Sequence, residues 1–578
     1  MLASWIALAT SLRLVAATDA TLGAPVDDSL GLPPVSTRID TVLVVRHGAL
    51  EGSNTLTPAD STTYLMMEWL RDHVLHSRTS DATIRNRLIL QNGDTPDSVR
   101  LHEAGRLLRL EKFLADAKVD TVRLDDRRLA LKAESWDRWS EALIASYNHS
   151  GGETNWALGL HEANLLGTGQ DVGFSYSSTA LQHGWTFNYT NTAFFAPGGQ
   201  LTATYVDLNN GHNLIGSFGY PNRSRYQKWA WTVDFQDLLT ERRILATPSV
   251  RDYFTRLSGA AWTDDALFCT EPESRYRWVH ASVARYWGEE TRLGLSLVAE
   301  SELDSAGQTR GAFTVSDSNA LALTRNDSVF QAWRSLPPNR DDRRVGIGIS
   351  LRGLDYLRKR NFNQLKWTED VPVGWQLTAA GYLNALSRGD LRDDGLVQAG
   401  ASWTGIAADV YQAASATWKS YFGDDELHRG TSNVKVELRW IPSQRFQTIV
   451  SVANDAVYGA PVYQSQLSLG EDNGLPGYAA RSFTGRGRFL SGTEIRWTPP
   501  LEALTVAPAL AVFAATGRVS DDPTLTGDAA WKTGIGFGFR FGMTRSPTGL
   551  VNHLSFSRPV GDPDHSGWMI SFGAKQSL

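Results

Sequence analysis

One cysteine, Cys269, is all that 578 residues contain. A lone thiol forms no internal disulfide and no cysteine-based zinc site, and reads as a packed small side chain. An excess of one charge is missing too. Fifty-six basic residues face 62 acidic ones, a net charge of −6, which leaves no electrostatic footprint for a nucleic-acid partner. Past the N-terminal stretch, no segment approaches the roughly 20 consecutive apolar residues that a spanning helix needs, and mean hydropathy is −0.27. Both argue against a helical membrane protein. No His, Asp and Glu cluster has metal-ligand spacing and no catalytic set is legible, so neither metal nor cofactor is expected and the chain reads as a non-enzyme.

Aromatic residues, by contrast, are plentiful: 20 Trp, 17 Tyr and 22 Phe. This suits a transmembrane β-barrel, whose strands are half apolar and whose Trp and Tyr gather at the two interfaces. A large soluble β-sandwich or propeller has a similar average, and composition leaves both open. At the N-terminus, Leu2 to Ala17 is apolar with small residues at Ala17 and Ala20. Residues 1–20 therefore read as a secretory signal peptide, although Arg13 interrupts it and no Lys or Arg precedes it. Residues 21–38, with Pro25, Pro33 and Pro34, read as a flexible leader.

Two periodicities divide the rest. From 39 to 132 the pattern is mixed and charged. Thr41 to Val45 is a β-type run, and Thr63 to Leu75 and Ser80 to Leu90 have helical spacing. After Gly93 and Asp94, Thr95 as N-cap and Pro96 at the first helical position open a helix whose Leu101, Ala104, Leu108 and Leu110 share one face. Val119 to Leu124 returns as a strand. From about Trp139 the period is two. Val434, Val436, Leu438 and Trp440 alternate with Lys435, Glu437 and Arg439, and Ile535, Phe537, Phe539 and Phe541 alternate with Gly536, Gly538, Arg540 and Gly542. The greasy face turns inward in a sandwich and outward to lipid in a membrane barrel, and period alone does not choose. Gly534, Gly536 and Gly538 are lumen-facing glycines rather than a phosphate loop, since no helix follows them. Lys435, Arg439, Arg496 and Arg540 would line a wet lumen. The run Asp341, Asp342, Arg343, Arg344 reads as a solvated loop.

Four motifs stand out. The first is Gly93, Asp94, Leu101, Glu103, Arg106, Leu108 and Arg109, followed by Phe113, Leu114, Ala117 and Val119. The second is Gly151, Gly152, Trp156, Gly159, Leu160 and Glu162, then Asn164, Leu165, Leu166, Gly167, Thr168 and Gly169. The third runs from Gly470 through Gly474, Leu475, Pro476, Gly477 and Tyr478 to Gly485 and enters a strand-like segment, Phe489 to Trp497. The fourth is Phe513, Ala514, Ala515, Thr516 and Gly517, ahead of Thr533 to Pro559. Together they resemble the superfamily of BamA, TamA and the two-partner-secretion translocators, over nearly the whole mature chain except about 237 to 350.

The resemblance implies a mainly β protein: a small α+β POTRA domain at 39–132, then a transmembrane antiparallel β-barrel at 139–578. The family number is about sixteen strands, whereas the period-two segments number up to about twenty. The Gly470 loop would fold into the lumen. In the family its tip carries Arg, which pairs with an Asp of the facing strand. Here Pro476 and Ala515 stand at those places, and losing both partners of a buried pair is nearly neutral where losing one is not. The implied activity is insertion, assembly or translocation of other polypeptides at the bacterial outer membrane, with the POTRA domain in the periplasm. Partners would be the lipid bilayer, unfolded or secreted polypeptide clients, and periplasmic or lipoprotein factors. A weak seam is expected between the first strand, Trp139 to Tyr147, and the last, Trp568 to Ala574. Two alternatives remain: a passive pore that has lost the assembly role, and a histidine-phosphatase-like enzyme built on Arg46, His47 and Gly48.

Overall fold

The computed structural model describes residues 37–49, 51, 77–124, 127–150, 153–179, 182–195, 197–245, 267–306, 312–316, 319–323, 340–389, 393–423, 426–459, 467–503, 505–527, 529–544 and 551–575. The expected signal peptide, nearly all of the leader, the helical run Thr63 to Leu75, and Gly151 and Gly152 lie outside the described residues.

A small α+β unit comes first: β1 (Ile39–His47), α1 (Asp81–Arg85), α2 (Ser98–Arg109), β2 (Leu114–Arg123) and β3 (Leu129–Asp137). Its sheet has the order β1-β3-β2, with β1 parallel and β2 antiparallel to the central strand. Buried Ile39, Val42, Ile84, Leu88, Ala104, Leu108, Phe113, Val119 and Leu131 form its core. The α2 N-cap is Asp97 rather than Thr95, because the Asp97 carboxylate accepts the Arg100 N–H at 2.7 Å and Pro96 stays outside the helix. Leu110 is the C-cap and exposed, not a core position. Only Asp81–Arg85 of the Ser80 to Leu90 run is α-helical. Central β3 is buried almost continuously and runs past 132 to Asp137.

The remaining strands are β4 (Glu141–Ser150), β5 (Glu153–Glu162), β6 (Gln170–Ser178), β7 (His183–Asn191), β8 (Gln200–Leu208), β9 (Gly211–Tyr220), β10 (Trp229–Leu245), β11 (Leu267–Trp287), β12 (Arg292–Ala306), β13 (Ala312–Ser316), β14 (Asn319–Leu323), β15 (Arg340–Arg360), β16 (Thr368–Gly389), β17 (Gly395–Ala407), β18 (Val410–Gly423), β19 (Glu426–Ser443), β20 (Phe446–Tyr458), β21 (Leu467–Leu469), β22 (Phe483–Gly485), β23 (Gly487–Trp497), β24 (Val506–Ser520), β25 (Lys532–Met543), β26 (Val551–Val560) and β27 (Met569–Lys575). All ladders among them are antiparallel. β13 and β14 form a side hairpin on β11, and β12 pairs directly with β15. Among the described residues, β21 and β22 pair only with each other. The closed ring among the described residues therefore has twenty strands. This corrects the expected sixteen. In this range β10, β11, β12, β15 and β16 find ladder partners on both sides and become wall.

The barrel resolves the ambiguity that period left. Leu297, Ile347, Leu438, Ile535 and Phe537 are exposed on its outside, while Glu302, Arg439, Glu494, Arg496 and Arg540 are buried inside. An apolar outer band with a polar interior is the pattern of a transmembrane barrel. The inward cations are paired rather than merely wet: Arg496 and Arg540 both bind Glu494, at 2.6 and 2.7 Å. Asp342 and Arg344 are likewise buried in β15 rather than solvated, since Arg344 bonds Glu300, Glu302 and Asp342 at 2.5 to 2.7 Å. The α+β unit leads through residues 138–140 into β4, so the mouth where β4 begins is the near mouth. The opposite mouth is the far one.

Candidate functional site

The loop between β20 and β23 enters from the far mouth and lies on the inner wall of β24 to β26. Glycine geometry fixes its path. Gly474 (φ +100) and Gly477 (φ +83) adopt left-handed backbone that favours glycine, and a Cβ at Gly477 would stand 2.4 Å from the Arg558 carbonyl carbon. Leu469, Leu475, Tyr478 and Ala515 are fully or almost fully buried in one cluster with Phe483 and Leu490. The Tyr478 hydroxyl donates to the Thr533 carbonyl at 3.3 Å, and its ring meets His565 at 5.3 Å. Glu471 reaches Ser557 at 3.3 Å.

Ala515, on the wall, packs with Leu475 and Tyr478 of the loop, so this contact is apolar on both sides. Gly517 opens the wall for Leu469, whose Cδ2 would be 3.2 Å from a Cβ there. Phe513 points inward beneath Arg540, with the guanidinium 5.3 Å from its ring. The third and fourth motifs are thus brought together, with Gly485 closing the loop in β22 opposite Leu467.

The ring closes between β27 and β4. β26 and β27 share a ladder from Val551↔Lys575 to Ser557↔Met569, and β4 pairs with β5 along its whole length. Among the described residues, the register between β27 and β4 holds one pair, Phe572↔His149. Among the described residues, a ladder this short leaves edge groups of β27 and β4 outside any register pair across the seam.

The first and second motifs meet at the near mouth, where the α+β unit docks. Glu103 and Arg106 are buried and paired at 2.7 Å. Arg106 also lies 4.1 Å over the Tyr356 ring and donates to the Arg223 carbonyl, while Glu103 accepts the Arg225 N–H at 3.2 Å. Burial alone would raise the Glu103 pKa, and Arg106 reverses this and holds the carboxyl below its usual range. Arg109 forks onto Asp370 at 2.8 and 2.9 Å. Gly93 (φ +92) and Asp94 act within the unit, pairing through backbone with Ile39. Leu101 packs on the unit's own core.

In the β5–β6 turn, the Asn164 side chain accepts the Gly169 N–H at 2.8 Å and donates to Thr79 at 2.9 Å. The Gly167 carbonyl accepts from Ser80 and Thr83. Leu165 and Leu166 stay exposed at the tip. Sequence reading misses the triad Arg87, Glu111 and Arg223, joined at 3.2 and 3.0 Å. No motif or period marks it, because its members come from three separate elements.

Arg46 and His47 end β1. His47 stacks on Trp136 at 4.6 Å and bonds both Glu134 and Glu51 at 2.9 Å, while Arg46 pairs with Asp81 at 2.7 Å. Partial burial would lower the His47 pKa, but the two carboxylates outweigh it and raise the value. Both side chains are already engaged by carboxylates, and His47 bridges to Glu134 and Trp136 of β3, so the tripeptide works as a clamp between β1 and β3.

The groove beside α2 measures about 370 Å³ and is lined by Leu101, His102, Gly105, Val119 and Trp136. It borders β2, an edge strand of the small sheet.

No family model and no curated protein matches the chain. Among solved structures, the chain is similar to CdiB from Escherichia coli, at 10% identity and a TM-score of 0.44, over 95% of this chain and 92% of that one. It is similar to CdiB from Acinetobacter baumannii at 9% identity and a TM-score of 0.42, over 93% and 73%. A third similarity is to BamA from Haemophilus ducreyi lacking POTRA domains 1-3, at 12% identity and a TM-score of 0.35, over 93% and 84%.

Proposed function

We propose that this chain is an outer-membrane barrel of the assembly and translocation superfamily, which inserts, assembles or translocates other polypeptides. Residues 39–137 act as its periplasmic POTRA domain. The observation that carries the reading is the seam, where one register pair among the described residues, Phe572↔His149, joins β27 to β4. A client strand can bind such edges through main-chain hydrogen bonds without strict sequence selection. The same argument applies to β2, although Arg109 already occupies the Ala117 carbonyl at 2.9 Å, which leaves the edge beyond Ala117 for a client. Periplasmic or lipoprotein factors would act on this near side.

The test is a disulfide across the seam, with His149→Cys and Phe572→Cys in a Cys269→Ser background. Oxidation should stop client insertion and reduction should restore it. Unchanged activity in the oxidised form excludes the lateral route. The apolar seating of the loop tip favours a second reading, a passive pore that keeps the fold. Depleting the protein and surveying the outer-membrane proteome separates the two, because only an assembly role predicts selective loss of clients.

A further inference from the structure

β15 and β16 run on past the barrel wall at the near mouth. β12 accompanies β15 only as far as Arg292↔Arg352, and β17 accompanies β16 only as far as Gly374↔Thr404. Beyond those pairs the two strands form a ladder with each other alone among the described residues, through six register pairs from Asp355↔Val373 to Arg360↔Thr368, and the turn 361–367 joins them. A two-stranded ribbon is marginal by itself, so whatever it leans on decides where it lies.

One side leans into the lumen. Phe362 and Leu365 are buried. The Phe362 ring meets Tyr411 edge-on at 4.8 Å, and its carbonyl accepts from Arg439 at 2.5 Å and from Gln447 at 3.0 Å. Leu365 packs with Ala507, Ala509 and Val551. Gly542 makes room for it, since a Cβ there would lie 2.6 Å from the Leu365 Cβ. The Trp367 indole donates to the Met543 carbonyl at 3.1 Å. The turn therefore reaches from its own strands to β18–β20 and on to β24–β26, most of the way across the ring.

The other side carries the α+β unit. Arg109 forks onto Asp370, and Arg358 pairs with Asp116 at 2.8 Å. Arg138, in the linker to β4, stacks 3.4 Å over Trp367. At the base of the ribbon, Gly374 has φ +127, and a Cβ there would stand 1.9 Å from the Gly353 carbonyl oxygen. Only glycine fits that close approach, at the place where the ribbon leaves the wall and bends.

We propose that residues 354–373 form a strap that bars the near mouth of the lumen, hinged at Gly353 and Gly374 and latched to the α+β unit through Arg109–Asp370 and Arg358–Asp116. Displacing the unit releases the strap and opens the lumen. This goes beyond client handling and needs no client, so the two readings fail separately.

The experiment is ion conductance of the purified full chain in planar lipid bilayers. Replacing residues 361–367 by Asn-Gly removes the plug, and single-channel conductance should rise severalfold. Heat-modifiable gel mobility shows that the barrel has folded. A folded variant with the parent's conductance overturns the strap. A second series keeps the turn intact. Asp370→Arg should make openings more frequent, and adding Arg109→Asp should return them toward the parent level. Parent-like gating in Asp370→Arg overturns the latch.

Discussion

The carbonyl oxygen of Pro476 presses on the α-carbon of Gly534: a Cβ at Gly534 would stand 1.8 Å from it. Glycine in β25 is thus the seat of the lumen loop, and the obstructing atom is main chain, which cannot swing aside. Gly534→Ala should lift the loop tip and destabilise its packing by about 1–3 kcal/mol, the usual range for overpacking. Faster tryptic cleavage after Arg481 would report it. Gly527→Ala, where nothing lies within 4 Å, serves as the silent control.

Arg106→Ala should undock the α+β unit. It strands the buried Glu103 carboxylate, and removing one partner of a buried pair costs about 3–5 kcal/mol. Glu103→Gln should be milder, since Arg106 keeps its stack on Tyr356. Hydrogen exchange over 98–109 and 221–227 distinguishes them: rapid in the first variant, near parental in the second.

The clamp at His47 predicts a pH dependence. Its folded pKa is raised above the ordinary value of 6.5, so protonated His47 contributes stability in full below that value. The contribution is lost as pH rises through the raised folded pKa. Amide exchange in β1, corrected for its intrinsic pH dependence, should show weaker protection at pH 9 than at pH 6. His47→Phe retains the stack on Trp136 and should abolish the difference. A difference that persists in His47→Phe assigns it to another group.

Arg344→Met should weaken the barrel wall near the far mouth. It leaves Glu300, Glu302 and Asp342 without their shared guanidinium, a loss of about 3–5 kcal/mol by the same rule. Arg344→Lys should recover only part, because one ammonium cannot fork to three acceptors in a fixed plane. The urea midpoint of the detergent-solubilised barrel measures both.

The alternation of Ile535, Phe537 and Phe539 with Gly536, Gly538 and Arg540 is legible in the residues alone, because side-chain direction in a strand has a fixed period of two. So is the start of a separate α+β unit, where helical spacing put Ala104 and Leu108 on one face. Local geometry carried those signals. Packing settled which face turns outward and, among the described residues, a ring of twenty strands rather than sixteen, since closure depends on partners far apart in the chain. It turned Asp342 and Arg344 from an apparent surface run into a buried network, because pairing carboxylates arrive from β12. It also seated the Pro476 carbonyl on Gly534 and packed Ala515 with Leu475 and Tyr478. These contacts join segments far apart in the chain, which no local pattern records.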